Sequence, residues 1–432
     1  MSWIRKYRLR SYLESSIWIP PVIGIIVSQV AVRAILYLDR EYAMDLHTDP
    51  GATRDLLVTL ASSMFTLIVF VSSALLLAVQ LASAQLTPRV ISLLFKDTIT
   101  KIALTLFVFT FTFALSVSVR IKSDIPLVAV RVAAYSSLVS LAFFIYLIDH
   151  VGKFLRPSGI LRVVFAKGRR VIESVYPRPI REPSAAQAST PESIETEPAR
   201  TIVSKRGGVV LAVDVSGLLA LAQRNDCLIE MVPQVGEFVA AEEPLFRIHN
   251  ESGRLSAEDL HNSVAVGSER TLEQDPAFAF RIMVDIASKG LSPAINDPTT
   301  AVLAIDQIHR LLRMVGLRNL DEGHVRDPGG KLRLVYPTPD WEDFVHLAVT
   351  EIRQFGATSV QIAKRLRAML ENLTQTLPAE RIPILQLELN RLNRSAERSF
   401  PELEDQALAK ISDSQGIGGK REKNHDHAPS AK

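Results

Sequence analysis

The chain has 432 residues, 47% hydrophobic and 22% charged, a formal net charge of +3 and a single cysteine, Cys227. So small a positive excess argues against a nucleic-acid partner, and one cysteine excludes an internal disulfide and a cysteine-based zinc cluster. Two or three domains are expected at this length, and the average composition conceals two unlike parts.

Four apolar stretches, Ser16–Leu38, Leu56–Leu81, Ile102–Val119 and Leu127–Ile148, approach or exceed the roughly 18–20 residues that cross a bilayer as a helix. The first holds Pro20, Pro21, Gln29 and Arg33 and is followed by Tyr37-Leu38-Asp39-Arg40 in place of a small-residue cleavage site. It reads as an uncleaved span. Arg5, Lys6, Arg8 and Arg10 precede it, and the next loop is acidic, with Asp39, Glu41, Asp45, Asp49 and Asp55 against Arg40 and Arg54. Arg89, Lys96 and Lys101 lie between spans two and three, and Lys153, Arg156, Arg162, Lys167, Arg169 and Arg170 follow span four. Only the short Arg120–Pro126 turn departs from the alternation. The positive-inside rule then gives four spans with both termini on the cytoplasmic side.

Within the spans, Arg33 and Arg131 sit near helix ends, where snorkelling is the simpler role. Span two carries Thr59, Ser62, Ser63, Thr66, Ser73 and Gln80, and span three adds Thr105, Thr110, Thr112, Ser116 and Ser118. Such hydroxyls either let helices pack closely or, in an oligomer, line a pore, for which the span-two set are the candidates. Thr87-Pro88 breaks the second helix, and Val90, Ile91, Leu94 and Phe95 beside Arg89 and Lys96 fit a short interfacial helix.

Residues 1–150 are thus a four-span domain, 151–177 a basic juxtamembrane helix on the membrane surface, and 178–205 a Pro/Ser/Ala/Thr/Glu-rich flexible linker. Residues 206–266 read as a small β unit in which Val209–Val213 is a strand and Ser216 caps a short helix. Its Val235-Gly236-Glu237-Phe238-Val239 and Pro244–Ile248 runs resemble half of a biotinyl/lipoyl-type barrel-sandwich, without the lysine that carries a prosthetic group. Residues 267–411 read as a helical unit and 412–432 as a disordered tail. Asp275-Pro276 and Asp297-Pro298 each start an amphipathic helix, giving a hairpin with a proline-rich elbow. Asp321–Lys331 is a connector, further helices start at Asp340 and Ser359, and Pro383 breaks the last helix. Lys364, Arg365 and Arg367, with no aromatic residues between them, read as a solvated face.

The QLTPR that ends span two and the ERTLEQDPAFAFRIMVDIASKGLSPAINDPTTA of the hairpin resemble domain-of-unknown-function family 2254, predicted bacterial membrane proteins. The resemblance runs from the first span to about Glu404. It implies the architecture and a place in the bacterial inner (plasma) membrane and, the family having no established activity, no site residues.

The fold expected is a membrane all-α domain of four transmembrane helices plus a cytoplasmic α+β domain, a small β unit followed by a helical layer. Arg270, Glu273, Asp285, Lys289, Ser292, Asn296 and Asp297 form the candidate ligand or subunit-contact cluster; turn building and capping is the plainer role of the last three. No nucleophile elbow, phosphate loop or histidine metal spacing is present, so no cofactor, metal or catalytic residue is expected and an enzyme is disfavoured. Expected partners are the lipid bilayer and further copies of the chain. The expected role is an oligomeric channel or transporter with a sensing or gating domain; the alternative is a membrane-anchored scaffold whose helical hairpin binds a partner.

Overall fold

In hydrocarbon every backbone N–H and C=O must be satisfied within its own segment, so long apolar runs close into helices. The computed structural model describes residues 2–41, 49–121, 125–180, 197–250, 255–321 and 323–419. The chain divides into two compact units, Leu9–Gly159, and Ile160–Lys432 together with Met1–Arg8.

After α1 (Trp3–Ser15), the first unit contains α2 (Ile19–Glu41), α3 (Pro50–Gln85), α4 (Ile91–Phe95), α5 (Thr98–Ser118) and α6 (Leu127–Phe154). Four of them, α2, α3, α5 and α6, are long and apolar enough to cross a membrane. The centre is α5, which packs against the other three and fully buries Phe107, Phe113, Ala114 and Val117. Gly24 brings α2 close to it: a Cβ there would stand 2.9 Å from the Thr105 carbonyl oxygen. Carboxylates close two helix starts from neighbouring segments. Asp39, near the end of α2, accepts from Val128 and Ala129 N–H at the start of α6 (2.9 and 3.1 Å). Asp97 caps α5 through Thr100 N–H (2.8 Å), and His150 Nε2 of α6 lies 3.2 Å from it. At the Thr87-Pro88 break, the Thr87 hydroxyl accepts from Arg89 N–H, and Val90, Leu93 and Leu94 are buried where the chain turns back on α3.

α7 (Pro157–Val175) opens the C-terminal part. Its apolar side faces the protein core. Ile160, Leu161, Val164, Val171 and Ile172 are buried, and a Cβ at Gly168 would meet Ala279 and Leu311 of the hairpin. Tyr176, just after it, is fully buried and donates its hydroxyl to the Pro339 carbonyl (3.1 Å).

There follow β1 (Arg200–Val203), β2 (Gly208–Val213), α8 (Val215–Arg224), β3 (Leu228–Met231), β4 (Phe238–Val239), β5 (Pro244–His249), α9 (Ala257–His261) and β6 (Val264–Gly267). The hairpin is α10 (Pro276–Gly290) and α11 (Pro298–Gly316), then β7 (His324–Arg326), β8 (Leu332–Val335), α12 (Trp341–Phe355), α13 (Val360–Thr376), α14 (Ile382–Ser399) and α15 (Leu403–Ala409). One sheet is ordered β1-β5-β3-β8-β7 and the other β4-β2-β6. Ile202, Val210, Ile229, Phe246, Ile248 and Val264, drawn from both sheets, fill one core. β8 joins β3 in parallel, with Ile229 opposite Leu334, so residues beyond the expected 266/267 boundary complete the sheet.

Several local signals resolve differently from the sequence reading. Asp214, not Ser216, caps α8 through Gly217 N–H (2.9 Å). Pro383 opens α14 instead of breaking it, since a first-turn proline loses no helical hydrogen bond. Residues 178–180 of the expected linker pair with the end of α11, Ile180 N–H donating to the Leu317 carbonyl (2.9 Å). The middle of that linker, 181–196, and the tail beyond 419 lie outside the described residues.

Candidate functional site

The hydroxyls of spans two and three part company. On α5, Thr112 and Ser28 of α2 are bonded at 2.7 Å, Ser116 accepts from Gln29 Nε2 (2.8 Å), and Thr110 meets Ser140 of α6 (3.0 Å). These side chains bind the bundle together. On α3 the buried stripe is Thr53, Leu57, Ala61, Met64, Val71, Leu75, Ala78 and Ala82. Thr59, Ser62, Ser63, Thr66, Ser73 and Gln80 are all exposed on the rest of its surface. Thr59, Ser63 and Thr66 donate to carbonyls one turn back (2.8–3.0 Å), whereas Ser62, Ser73 and Gln80 have no side-chain hydrogen bond among the described residues. Thr59, Thr66, Ser73 and Gln80 recur every seven residues. Seven residues are nearly two turns, so they form a stripe that drifts only about 20° per repeat.

The cluster on the hairpin does not converge. α10 has 15 residues and is therefore about 22 Å long. At its start, Arg270 holds the buried Asp275 (Nε to Oδ2, 2.8 Å), which caps α10 through Phe278 N–H (3.0 Å). Burial pushes the Asp275 carboxyl above its usual value, against the pull of Arg270 and the cap bonds. Gly236, at φ +95°, is pressed so closely on this pair that no side chain fits there. Beside it, Gln274 clasps Val213 of β2 as a strand would, accepting from its N–H (2.8 Å). Glu273, half-buried, is engaged as well. Midway along α10, Asp285 accepts from Arg281 Nε (2.7 Å) while Arg281 forks onto Glu351 of α12 (2.5 and 2.7 Å). The Glu351 bond raises the Arg281 pKa against the cost of burial, and Asp285 adds to it.

The elbow lies at the other end. Ser292 donates to the Lys289 carbonyl (2.7 Å), Asn296 takes φ +51°, Asp297 N–H donates to the Gly290 carbonyl (2.6 Å), and Asp297 caps α11 through Thr300 N–H (3.1 Å). These groups build the turn. Arg270 and Glu273 lie at one end of α10 and the elbow at the other, while Asp285 lies one turn before Lys289.

The basic triplet of α13 is not a solvated face. Lys364, Arg365 and Arg367 are 1%, 6% and 7% exposed. Lys364 Nζ donates to the Gly419 carbonyl (2.7 Å), Arg365 Nε to Asp306 (2.7 Å), and Arg367 to the Ala409 carbonyl and Asn393. Residues 413–419 lie over α13 in a loop tied by Asp413, which accepts from Gln415, Gly416 and Gly418 N–H. Burial raises that carboxyl, the three amide bonds outweigh it, and the net shift is downward. The sequence had no local signal for this, because the covering groups lie some 40–55 residues downstream. His309 of α11, beside Arg365, is pushed down by burial although Asn372 bonds its Nε2 (2.9 Å).

A cleft of about 480 Å³ lies beside β3 and β8, walled by Glu230, His324, Tyr336, Thr338, Trp341 and Arg381 among others. Glu230 is already held by Arg247 and His249 (both 3.0 Å), and His324 by Asp321 (2.7 Å). Arg381 stacks on the Trp341 ring and donates to the Arg318 carbonyl (3.1 Å), and its buried Nε has no hydrogen-bond partner among the described residues. Among the described residues no group of three or more His, Cys, Asp or Glu side chains is placed to hold a metal ion.

The family model described as "Predicted membrane protein (DUF2254)" matches residues 14–372. Uncharacterised proteins of Mycobacterium tuberculosis and Mycobacterium bovis are 26% identical to the chain over 426 aligned residues, covering 94% of it and 80% of their own length. No solved structure matches.

Proposed function

Since the chain belongs to the DUF2254 family of predicted membrane proteins, we propose that it acts as an oligomeric channel- or transporter-like protein in which α3 helices of neighbouring copies face one another. The stripe of Thr59, Thr66, Ser73 and Gln80, which α3 exposes among outward apolar residues such as Phe65, Val69 and Leu76, carries this reading. Among the described residues the interior beside α5 is filled by fully buried Phe107 and Phe113, which favours a path shared between copies over one within a copy. An unsatisfied amide such as Gln80 is costly in hydrocarbon and gains from a partner across an interface. The alternation of basic and acidic loops supports cytoplasmic termini, with the C-terminal part on that side as a sensing or gating domain.

The scaffold alternative draws less support. Phe278, Phe280, Met283, Ile286, Ile305, Ile308 and Leu312 of the hairpin are buried in the core of the C-terminal part, leaving little of it to offer a partner.

Native mass spectrometry of the detergent-purified chain, with cross-linking through Ser73→Cys, tests the proposal. The buried Cys227 stays unreactive in that experiment. A multimer cross-linked through α3 supports it, and conductance in planar bilayers then separates a channel from a carrier. A monomer without cross-links would remove the basis for a shared path.

A further inference from the structure

α7 is an amphipathic helix whose apolar side is already occupied. Ile160, Leu161, Val164, Val171 and Ile172 are spent on the protein core, and Arg310 of α11 stacks its guanidinium 3.9 Å above the Phe165 ring. What remains exposed is Ser158, Arg162, Ala166, Arg169, Arg170, Glu173 and Ser174, a stripe at helical spacing with three arginines and one acid. Arg169 is drawn to Glu173 (3.3 Å), but among the described residues Arg162 and Arg170 have no carboxylate partner, nor has the exposed Arg156 just before the helix. Lys167, half-buried, is engaged elsewhere.

Only two residues separate the helix from the end of α6 at Phe154. α6 has 28 residues and is about 42 Å long, more than the roughly 30 Å of a hydrocarbon core. Its last turns, with Asp149, His150 and Lys153, therefore reach the headgroup region, and so does the start of α7.

We propose that the arginine face of α7 is a docking surface for the phosphates of anionic lipids. Guanidinium groups match phosphate oxygens in pairs and shed their hydration readily, and an anionic leaflet rewards each base held near its surface. Because the opposite face is locked into α10 and α11, the helix cannot roll its apolar residues into the bilayer. It acts as a rigid charged plate through which leaflet charge reaches the hairpin.

A nitroxide on Ala166→Cys, at the middle of the exposed stripe, reads this in the full-length protein, since Cys227 is only 1% exposed and escapes labelling. The protein is reconstituted in nanodiscs of phosphatidylcholine, with or without phosphatidylglycerol, and relaxation by a nickel chelate carried on lipid headgroups is measured. Relaxation is expected to be stronger in the anionic discs. Arg162→Gln with Arg170→Gln should lower that preference by about fivefold per charge removed. Arg394→Gln with Arg398→Gln, exposed on α14, should leave it unchanged. Equal relaxation in the two disc compositions, or an equal loss from the α14 pair, overturns the proposal.

Discussion

Helices α3 and α5 carry similar numbers of serines and threonines, and in sequence they look like the same kind of span. They are used in opposite ways. α5 is the hub of the bundle, and its Thr110, Thr112 and Ser116 each find a side-chain partner on a neighbouring helix. α3 runs 36 residues, buries one stripe of mostly small and apolar residues, and presents Thr59, Ser62, Ser63, Thr66, Ser73 and Gln80 outward. Hydroxyl content alone does not tell packing from a lining. What decides is whether the hydroxyls share a face with the apolar residues that the neighbouring helices bury.

The largest expected effect is at the hub. Phe113→Ala removes a fully buried ring from α5 and should destabilise the bundle by about 3–5 kcal/mol, read as a lowered melting temperature in detergent. A shift as small as that of an α3 surface substitution would mean that α5 is not the hub. The C-terminal part offers a parallel case. Lys364→Met keeps the aliphatic stem but leaves the Gly418 and Gly419 carbonyls without their donor, at a cost of about 1–3 kcal/mol. Faster amide exchange confined to residues 413–419 and α13 would mark the loop as held from beneath; unchanged exchange would show that Lys364 does not hold it.

Smaller effects sharpen the contrast between the helices. Ser28→Ala with Thr112→Val deletes one interhelical hydrogen bond, expected to be worth about 0.6 kcal/mol in a membrane. Thr66→Leu with Ser73→Leu on α3 should stay within about 0.5 kcal/mol for the single bundle, yet weaken assembly in native mass spectra. If the α3 pair unfolds the monomer, or leaves the oligomer intact, the two helices do not divide the work as their faces suggest.

Much of this was legible in the sequence because its causes are local. The spans follow from apolar length, and Asp275-Pro276, Asp297-Pro298, Asp340 and Ser359 start helices where their chemistry requires. What was hidden depends on distant partners. Nothing near Leu332–Val335 announces a parallel neighbour a hundred residues earlier at β3. The basic triplet of α13 reads as solvated until the chain returns to cover it, and nothing near α7 announces that Ala279 and Leu311 lie against its apolar side. The hairpin cluster is spread out for a related reason. Proximity in sequence along a helix of about 22 Å is not proximity in space, and its elbow spends its polar atoms on its own backbone.

The smallest effect concerns pH, and it tests whether the covered face of α13 behaves as interior. His309 lies between Asp306, Arg365 and Arg313, with Asn372 on its Nε2; burial, the dominant cause, holds its pKa below the usual 6.5. For a base depressed in the folded state, the unfolded chain takes up its proton first. The stability tied to neutral His309 is therefore fully present above 6.5 and is lost as pH falls through the lower folded value. His309→Gln keeps a hydrogen-bonding partner for Asn372 but cannot titrate. Between about pH 7 and about pH 5 the melting temperature of the native chain should then fall more than that of His309→Gln, with the two converging at the upper end. Parallel curves would mean that the imidazole is solvated in both states and that the face around Arg365 opens to water more readily than its burial indicates.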